Sequence, residues 1–236
     1  MPDHRSYVII LTLNITDRGD GVRRLNAIVG YHGYWVLLTY FALISAVFGM
    51  CFALTGNLRL ALIFLMISGV FDAFDGSVAS LKERTDREKS YGIQLDSLAD
   101  IVNFGVFPVI IGFTIWHNHS SHLLIHAAVF SLYVLAALIR LAHFNVIEIE
   151  LQGTKEKRKY YEGLPVTSVA LIIPFIYSVC DIFSFSLPVI YPISLFVIAL
   201  AFVLRIRIPK PRGYAILILC LAGIPAVAYI LIGKYL

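Results

Sequence analysis

The sequence predicts an all-α integral membrane protein, a single bundle of transmembrane helices formed by residues 1–236. Three observations carry this prediction: a heavily apolar composition, seven long apolar stretches, and Lys and Arg concentrated in alternate loops. Hydrophobic residues make up 59% of the chain and charged residues only 14%, with a mean hydropathy of +0.82. A water-soluble domain of this size has too little interior to hide that much apolar surface. The stretches lie at roughly 33–55, 58–81, 94–116, 122–144, 165–182, 187–206 and 213–233. Each is about long enough to cross a bilayer as a helix. Together they leave no room for a second folded unit.

Charge sets the expected orientation. Arg5, Arg18, Arg23 and Arg24 precede the first stretch, and Lys82, Arg84, Arg87 and Lys89 separate the second from the third. Lys155, Lys157, Arg158 and Lys159 follow the fourth, and Arg205, Arg207, Lys210 and Arg212 follow the sixth. The opposite side carries only Arg59 and Lys234, while Arg140 lies within the fourth stretch. This positive-inside bias places the N-terminal segment, residues 1–32, in the cytoplasm. That segment lacks the basic start, apolar core and small-residue exit of a cleavable signal. By themselves the basic loops need do no more than set topology and meet anionic headgroups. Nothing in the pattern points to a nucleic-acid partner. Cys51, Cys180 and Cys220 sit inside apolar stretches without paired spacing and read as small buried hydrophobes. The outward loop of His117, His119 and His122 offers no closed ligand set and reads as interfacial polar residues.

Four carboxylates break the apolar pattern. Asp72 and Asp75 fall near the end of the second stretch, Asp96 and Asp100 near the start of the third. An ionised group in such a setting is costly and marks function. Asp72, Asp75, Gly76 and Ala79 are spaced to share one helix face, and so are Gly92, Asp96 and Asp100. A hairpin of these helices brings all four acids to similar depth on the cytoplasmic side. Converging carboxylates repel one another, and divalent cations relieve that repulsion. Oxygen-only ligands suit Mg²⁺, Mn²⁺ or Ca²⁺. Gly76, Ala79 and Gly92 leave backbone bare, so that a phosphate-bearing ligand can approach closely. Small residues also serve helix packing alone. A cation or proton pathway is the rival use of buried acids, but such pathways favour the midplane and repeated halves, and no repeat is visible here.

The run Asp72, Asp75-Gly76, Ala79, Gly92, Asp96 and Asp100 resembles the signature of the CDP-alcohol phosphotransferase family. Two departures stand out. Ser80 occupies the place of the family's Arg, and eleven residues separate it from Gly92. Arg84 or another basic loop residue is then left to take that Arg's part. The Pro-Asn usual near the start of the first helix is also missing. The runs Tyr91–Pro108, Arg140–Val146 and Tyr160–Ser168 are similar to those of membrane-embedded members that use serine as the acceptor alcohol.

The resemblance implies a bundle of six core helices, the seventh stretch being an additional C-terminal helix, and a homodimer. It implies transfer of a phosphatidyl group from CDP-diacylglycerol to L-serine at a site open to the cytoplasm. Inositol phosphate and glycerol phosphate are the alternative acceptors. Two divalent ions, Mg²⁺ or Mn²⁺ with Ca²⁺ as the alternative, are held by Asp72, Asp75, Asp96 and Asp100, with Asp100 also the general base. Asp72, Gly76, Ala79, Ser80, Arg84 and Gly92 then contact the CDP-lipid. Arg140 matches a phosphate or carboxylate through its guanidinium fork, or else snorkels to headgroups. Asn145 lines the same entrance or caps a helix. Gly163-Leu164-Pro165 is a helix-start signal, and Pro108 is expected to kink the third helix.

Overall fold

The computed structural model describes residues 30–31, 33–79, 84–119, 123–152, 160–205, 207–209 and 229. The compact unit runs Gly33–Leu236. A short 3₁₀ turn, Tyr34–Val36, leads into α1 (Leu37–Leu54), followed by α2 (Leu58–Ala79), α3 (Asp86–Asp100) and α4 (Phe107–His119). Then come α5 (Leu123–Gln152), α6 (Val169–Ile182) and α7 (Leu187–Val203). A two-stranded antiparallel ribbon, β1 (Tyr160–Glu162) with β2 (Arg207–Pro209), pairs the segment after α5 with the segment after α7. The all-helical prediction therefore holds for the spans, with this ribbon as an addition that apolar patterning does not encode. The seventh predicted stretch lies outside the described residues, apart from Tyr229.

α1 and α2 form an antiparallel hairpin. Gly56 makes the turn at φ +83, a conformation that side-chain-bearing residues rarely adopt. Asn57 Oδ1 then accepts from the Leu60 amide at 3.2 Å and starts α2. α2 packs on α6 where Gly69 meets the Ala170 methyl, an approach that a Cβ on Gly69 would block.

The third predicted stretch begins earlier than hydropathy places it. Thr85 and Glu88 close a capping box: the Thr85 hydroxyl accepts from the Glu88 amide at 3.3 Å, and the Thr85 amide donates to Glu88 Oε2 at 2.8 Å. From there α3 and α4 form one uninterrupted run, because a π-helical turn over Ile101–Val106 joins them. Pro108 explains the widening. It has no amide hydrogen, so the Phe104 carbonyl four residues earlier loses its helical donor. The Tyr133 hydroxyl of α5 donates to that carbonyl at 2.6 Å, and the Tyr191 hydroxyl of α7 donates to the Pro108 carbonyl at 2.8 Å. The device at Pro108 is thus a widened turn pinned by two tyrosines. Tyr133→Phe strands a buried carbonyl and is expected to destabilise the protein by ~1–2 kcal/mol, read as an earlier thermal or urea transition in detergent.

α5 also outruns its prediction, continuing to Gln152 well past the apolar stretch ending near 144. At about 1.5 Å per residue it is longer than the bilayer's hydrocarbon is thick. The Gly163-Leu164-Pro165 signal behaves as expected: Val166–Ser168 forms a 3₁₀ turn that leads into α6, with Ser168 Oγ donating to the Pro165 carbonyl at 2.6 Å. Cys180 is buried, but Cys51 is exposed on α1 and so is not the buried hydrophobe expected there. Cys220 lies outside the described residues. At the far end His117 stacks on Phe113, and His126 lies between Trp116 and Phe130. Among the described residues, the only group of His, Cys, Asp or Glu arranged to hold a metal includes no histidine.

Candidate metal and phosphate site

The acids of α2 and α3 come together at their side chains. Carboxylate oxygens of Asp72, Asp96 and Asp100 lie within 4.8 Å of one another. Asp75, one turn beyond Asp72, stands against Asp96, as Asp72 stands against Asp100. Hydroxyls from two other elements hold the outer members. Thr39 Oγ1 of α1 donates to Asp75 at 3.1 Å, and Thr167, in the turn before α6, interacts with Asp72. Asp100 is buried at 7% exposure, while Asp72, Asp75 and Asp96 are half-buried.

This donor set fits a hard divalent cation. It offers only oxygens, as Mg²⁺, Mn²⁺ and Ca²⁺ prefer. One buried oxygen each of Asp96 and Asp100 has no hydrogen-bond partner among the described residues. Buried carboxylate oxygens are rarely left so, and a cation satisfies them. A methyl added to Gly76 would meet nothing within 4 Å, so the protein's own packing does not demand glycine there. The bare backbone faces open space beside the acids, where a ligand can lie against it.

The remaining expected residues fall into three groups. Ala79 ends the described part of α2 and is half-buried, while Ser80 lies outside the described residues. Gly92 is on α3 as its spacing requires, but its surface is covered: the Arg84 guanidinium and the Trp35 ring lie against it. Arg140 is buried on α5 at 8% exposure. Asn145 is well inside α5, which excludes the helix-cap reading; its carbonyl oxygen accepts from Ser97 Oγ at 2.6 Å. That bond ties α5 to the stretch of α3 between Asp96 and Asp100.

Thr39, Thr167, Ser97 and Trp35 were not legible as site residues. Thr39, Thr167 and Trp35 reach the acids or their helices from a distant part of the chain, Ser97 lies beside Asp96 but finds its partner Asn145 on α5, and only the spacing of the aspartates themselves carries a local signal. Asn103, three residues after Asp100 and fully buried in the π-helical turn, was not singled out either; neither end of its amide has a partner among the described residues.

Comparison with known proteins agrees with this geometry. The family model described as CDP-alcohol phosphatidyltransferase matches residues 36–205. The chain is 40% identical over 134 residues to a Saccharomyces cerevisiae CDP-diacylglycerol–serine O-phosphatidyltransferase, covering 54% of this chain and 46% of that one. It is 30% identical over 199 residues to the protein of the same name from Methanocaldococcus jannaschii, covering 81% of this chain and 86% of that one. It is 32% identical over 133 residues to the archaetidylserine synthase of Methanothermobacter thermautotrophicus, covering 56% and 52%. The chain thus spans about half the length of the yeast and Methanothermobacter relatives and most of the Methanocaldococcus one. No solved structure matches. With its clustered aspartates, its helical membrane spans and a family match over most of its length, the chain belongs to the CDP-alcohol phosphatidyltransferase family.

Proposed function

We propose that this protein is a phosphatidylserine synthase, transferring the phosphatidyl group of CDP-diacylglycerol to the hydroxyl of L-serine with release of CMP. The observation that carries the chemistry is the convergence of Asp72, Asp96 and Asp100 within 4.8 Å, with unpartnered oxygens on two of them. The relatives' names support serine as the acceptor.

In this reading Asp72, Asp75, Asp96 and Asp100 hold two divalent ions, Mg²⁺ or Mn²⁺. When bound, such ions offset the charge of the diphosphate and of the departing CMP. Gly76 and Ala79 let the diphosphate lie against α2. Asp100 accepts the proton of the serine hydroxyl as its oxygen attacks the lipid-side phosphorus. The new phosphorus–oxygen bond forms as the bond to CMP breaks, and the electron pair leaves with CMP. Arg140, on the helix that packs against α3, suits the serine carboxylate or the lipid phosphate. Asn145 holds α3 in register from the same helix. Positioning and charge complementarity supply most of the acceleration. The basic loops support a site open to the cytoplasm, and the family resemblance supports a homodimer.

The test is CMP release from CDP-diacylglycerol by the purified protein in mixed micelles. Release is expected only with L-serine and Mg²⁺ or Mn²⁺ present, with inositol phosphate and glycerol phosphate inert. Release with either phosphate-bearing acceptor but not serine reassigns the acceptor, and no release with any alcohol overturns the proposal.

A further inference from the structure

Arg84 and Trp35 meet over Gly92. Trp35, in the 3₁₀ turn ahead of α1, is only 3% exposed. The Arg84 guanidinium carbon stands 5.4 Å from the centre of its ring. A methyl on Gly92 would lie 3.2 Å from Arg84 Nη1 and 3.4 Å from Trp35 Cζ3. The bare Cα of Gly92 therefore lets the guanidinium settle onto α3. Arg84 immediately precedes the capping Thr85, so the start of α3 fixes where its backbone leaves the membrane end.

The chemistry of the stack indicates a purpose. An aromatic ring engages the flat face of a guanidinium and leaves its in-plane N–H groups free to fork onto an anion. Gly92 and Asp96 are one helical turn apart, about 6 Å along α3. An anion held by cations at Asp96 and extending along α3 toward Gly92 meets the N–H edge of the guanidinium that covers that glycine. A diphosphate has the length and the charge to bridge the two places.

We propose that Arg84 grips the diphosphate of the nucleotide-activated lipid, and that Trp35 is a positioning residue that holds the guanidinium at that spot. The assignment rests on the donor chemistry proposed above. It gives Trp35, which has no chemical group suited to the reaction, a definite part in donor recognition.

Full-length enzyme in neutral-detergent micelles supplies the test, with kcat and KM measured separately for donor and serine. Arg84→Ala is expected to raise the donor KM roughly 10–100-fold, because charge-assisted contacts to phosphate are lost, with the serine KM unchanged. Arg84→Lys keeps the charge but not the fork and falls between. Trp35→Phe retains a ring and stays within about 2-fold of the parent, whereas Trp35→Leu raises the donor KM about 3–10-fold. In an Arg84→Ala background, Trp35→Leu adds nothing further. A normal donor KM in Arg84→Ala overturns the proposal, as does a Trp35→Leu effect of equal size with and without Arg84. An Arg84→Ala defect that appears only when anionic lipid is added assigns the guanidinium to headgroups and overturns it too. These outcomes are read on an enzyme that releases CMP, so they are distinct from failure of the serine-transfer reading itself.

Discussion

Asp100→Asn is expected to lower kcat for serine-dependent CMP release by about 10³-fold or more, while the protein still inserts and folds. The substitution keeps the size and shape of a side chain that is only 7% exposed, so packing around it survives. It removes two things together: a carboxylate able to take the proton of the acceptor hydroxyl, worth about 10²–10⁴ in rate, and an anionic ligand of the proposed ions. The two losses separate experimentally. Mn²⁺ affinity, followed by electron paramagnetic resonance of the free ion, reports the ligand loss. The fall in kcat at saturating Mn²⁺ reports the loss of the base. Near-parental turnover at saturating metal would remove Asp100 from the proton-transfer role.

Asp96→Asn should show a trade between activity and stability. Asp96 faces Asp75 and lies within 4.8 Å of Asp72 and Asp100 through its ligand oxygens. Without cations this is a costly gathering of like charges in a low-dielectric setting. Neutralising the central member relieves the crowding, so the metal-free variant is expected to melt about 2–5 °C above the metal-free parent. Added Mg²⁺ or Mn²⁺ raises the parent's melting temperature by mass action and leaves the variant nearly unmoved. Activity of the variant falls by about 10²-fold or more. A variant less stable than the metal-free parent, yet still stabilised by metal, would show that Asp96 is a structural hydrogen-bonding residue instead.

The legible and the hidden parts of this molecule divide along physical lines. Aspartates in apolar helices are readable because lipid makes an isolated charge expensive, and their spacing fixes the shared face; Asp72, Asp96 and Asp100 meet as that spacing requires. Helix ends outside the bilayer are poorly readable, since hydropathy reports only what lipid covers. The capping box at Thr85 and Glu88 and the long tail of α5 beyond residue 144 therefore lie beyond the predicted stretches. For the same reason a helix cap stood as one of two readings of Asn145, which lies inside α5. Contacts made across the sequence have no local signature at all. Thr39 reaches Asp75 from 36 residues away, and Ser97 reaches Asn145 across 48. Pro108 was visible, but the widened turn ahead of it was not. Whether a proline breaks, bends or widens a helix depends on which neighbours can serve the stranded carbonyl, and here Tyr133 of a different helix does so.

The π-helical turn has a consequence for how tolerant this span is of length changes. A wide turn amounts to an ordinary helix carrying one surplus residue, which shifts everything on one side by about 100° relative to the other. The acidic half thereby brings Asp96 and Asp100 to Asp72 of α2, while the aromatic half, Phe104 through Ile115, keeps its own bearing toward α1, α5 and α7. Excising any one residue between Ile101 and Val106 would let the span relax into a regular coil and still cross the bilayer. It would also swing Asp96 and Asp100 away from Asp72 like a key turned in its barrel, leaving a well-inserted protein whose acids no longer face one another.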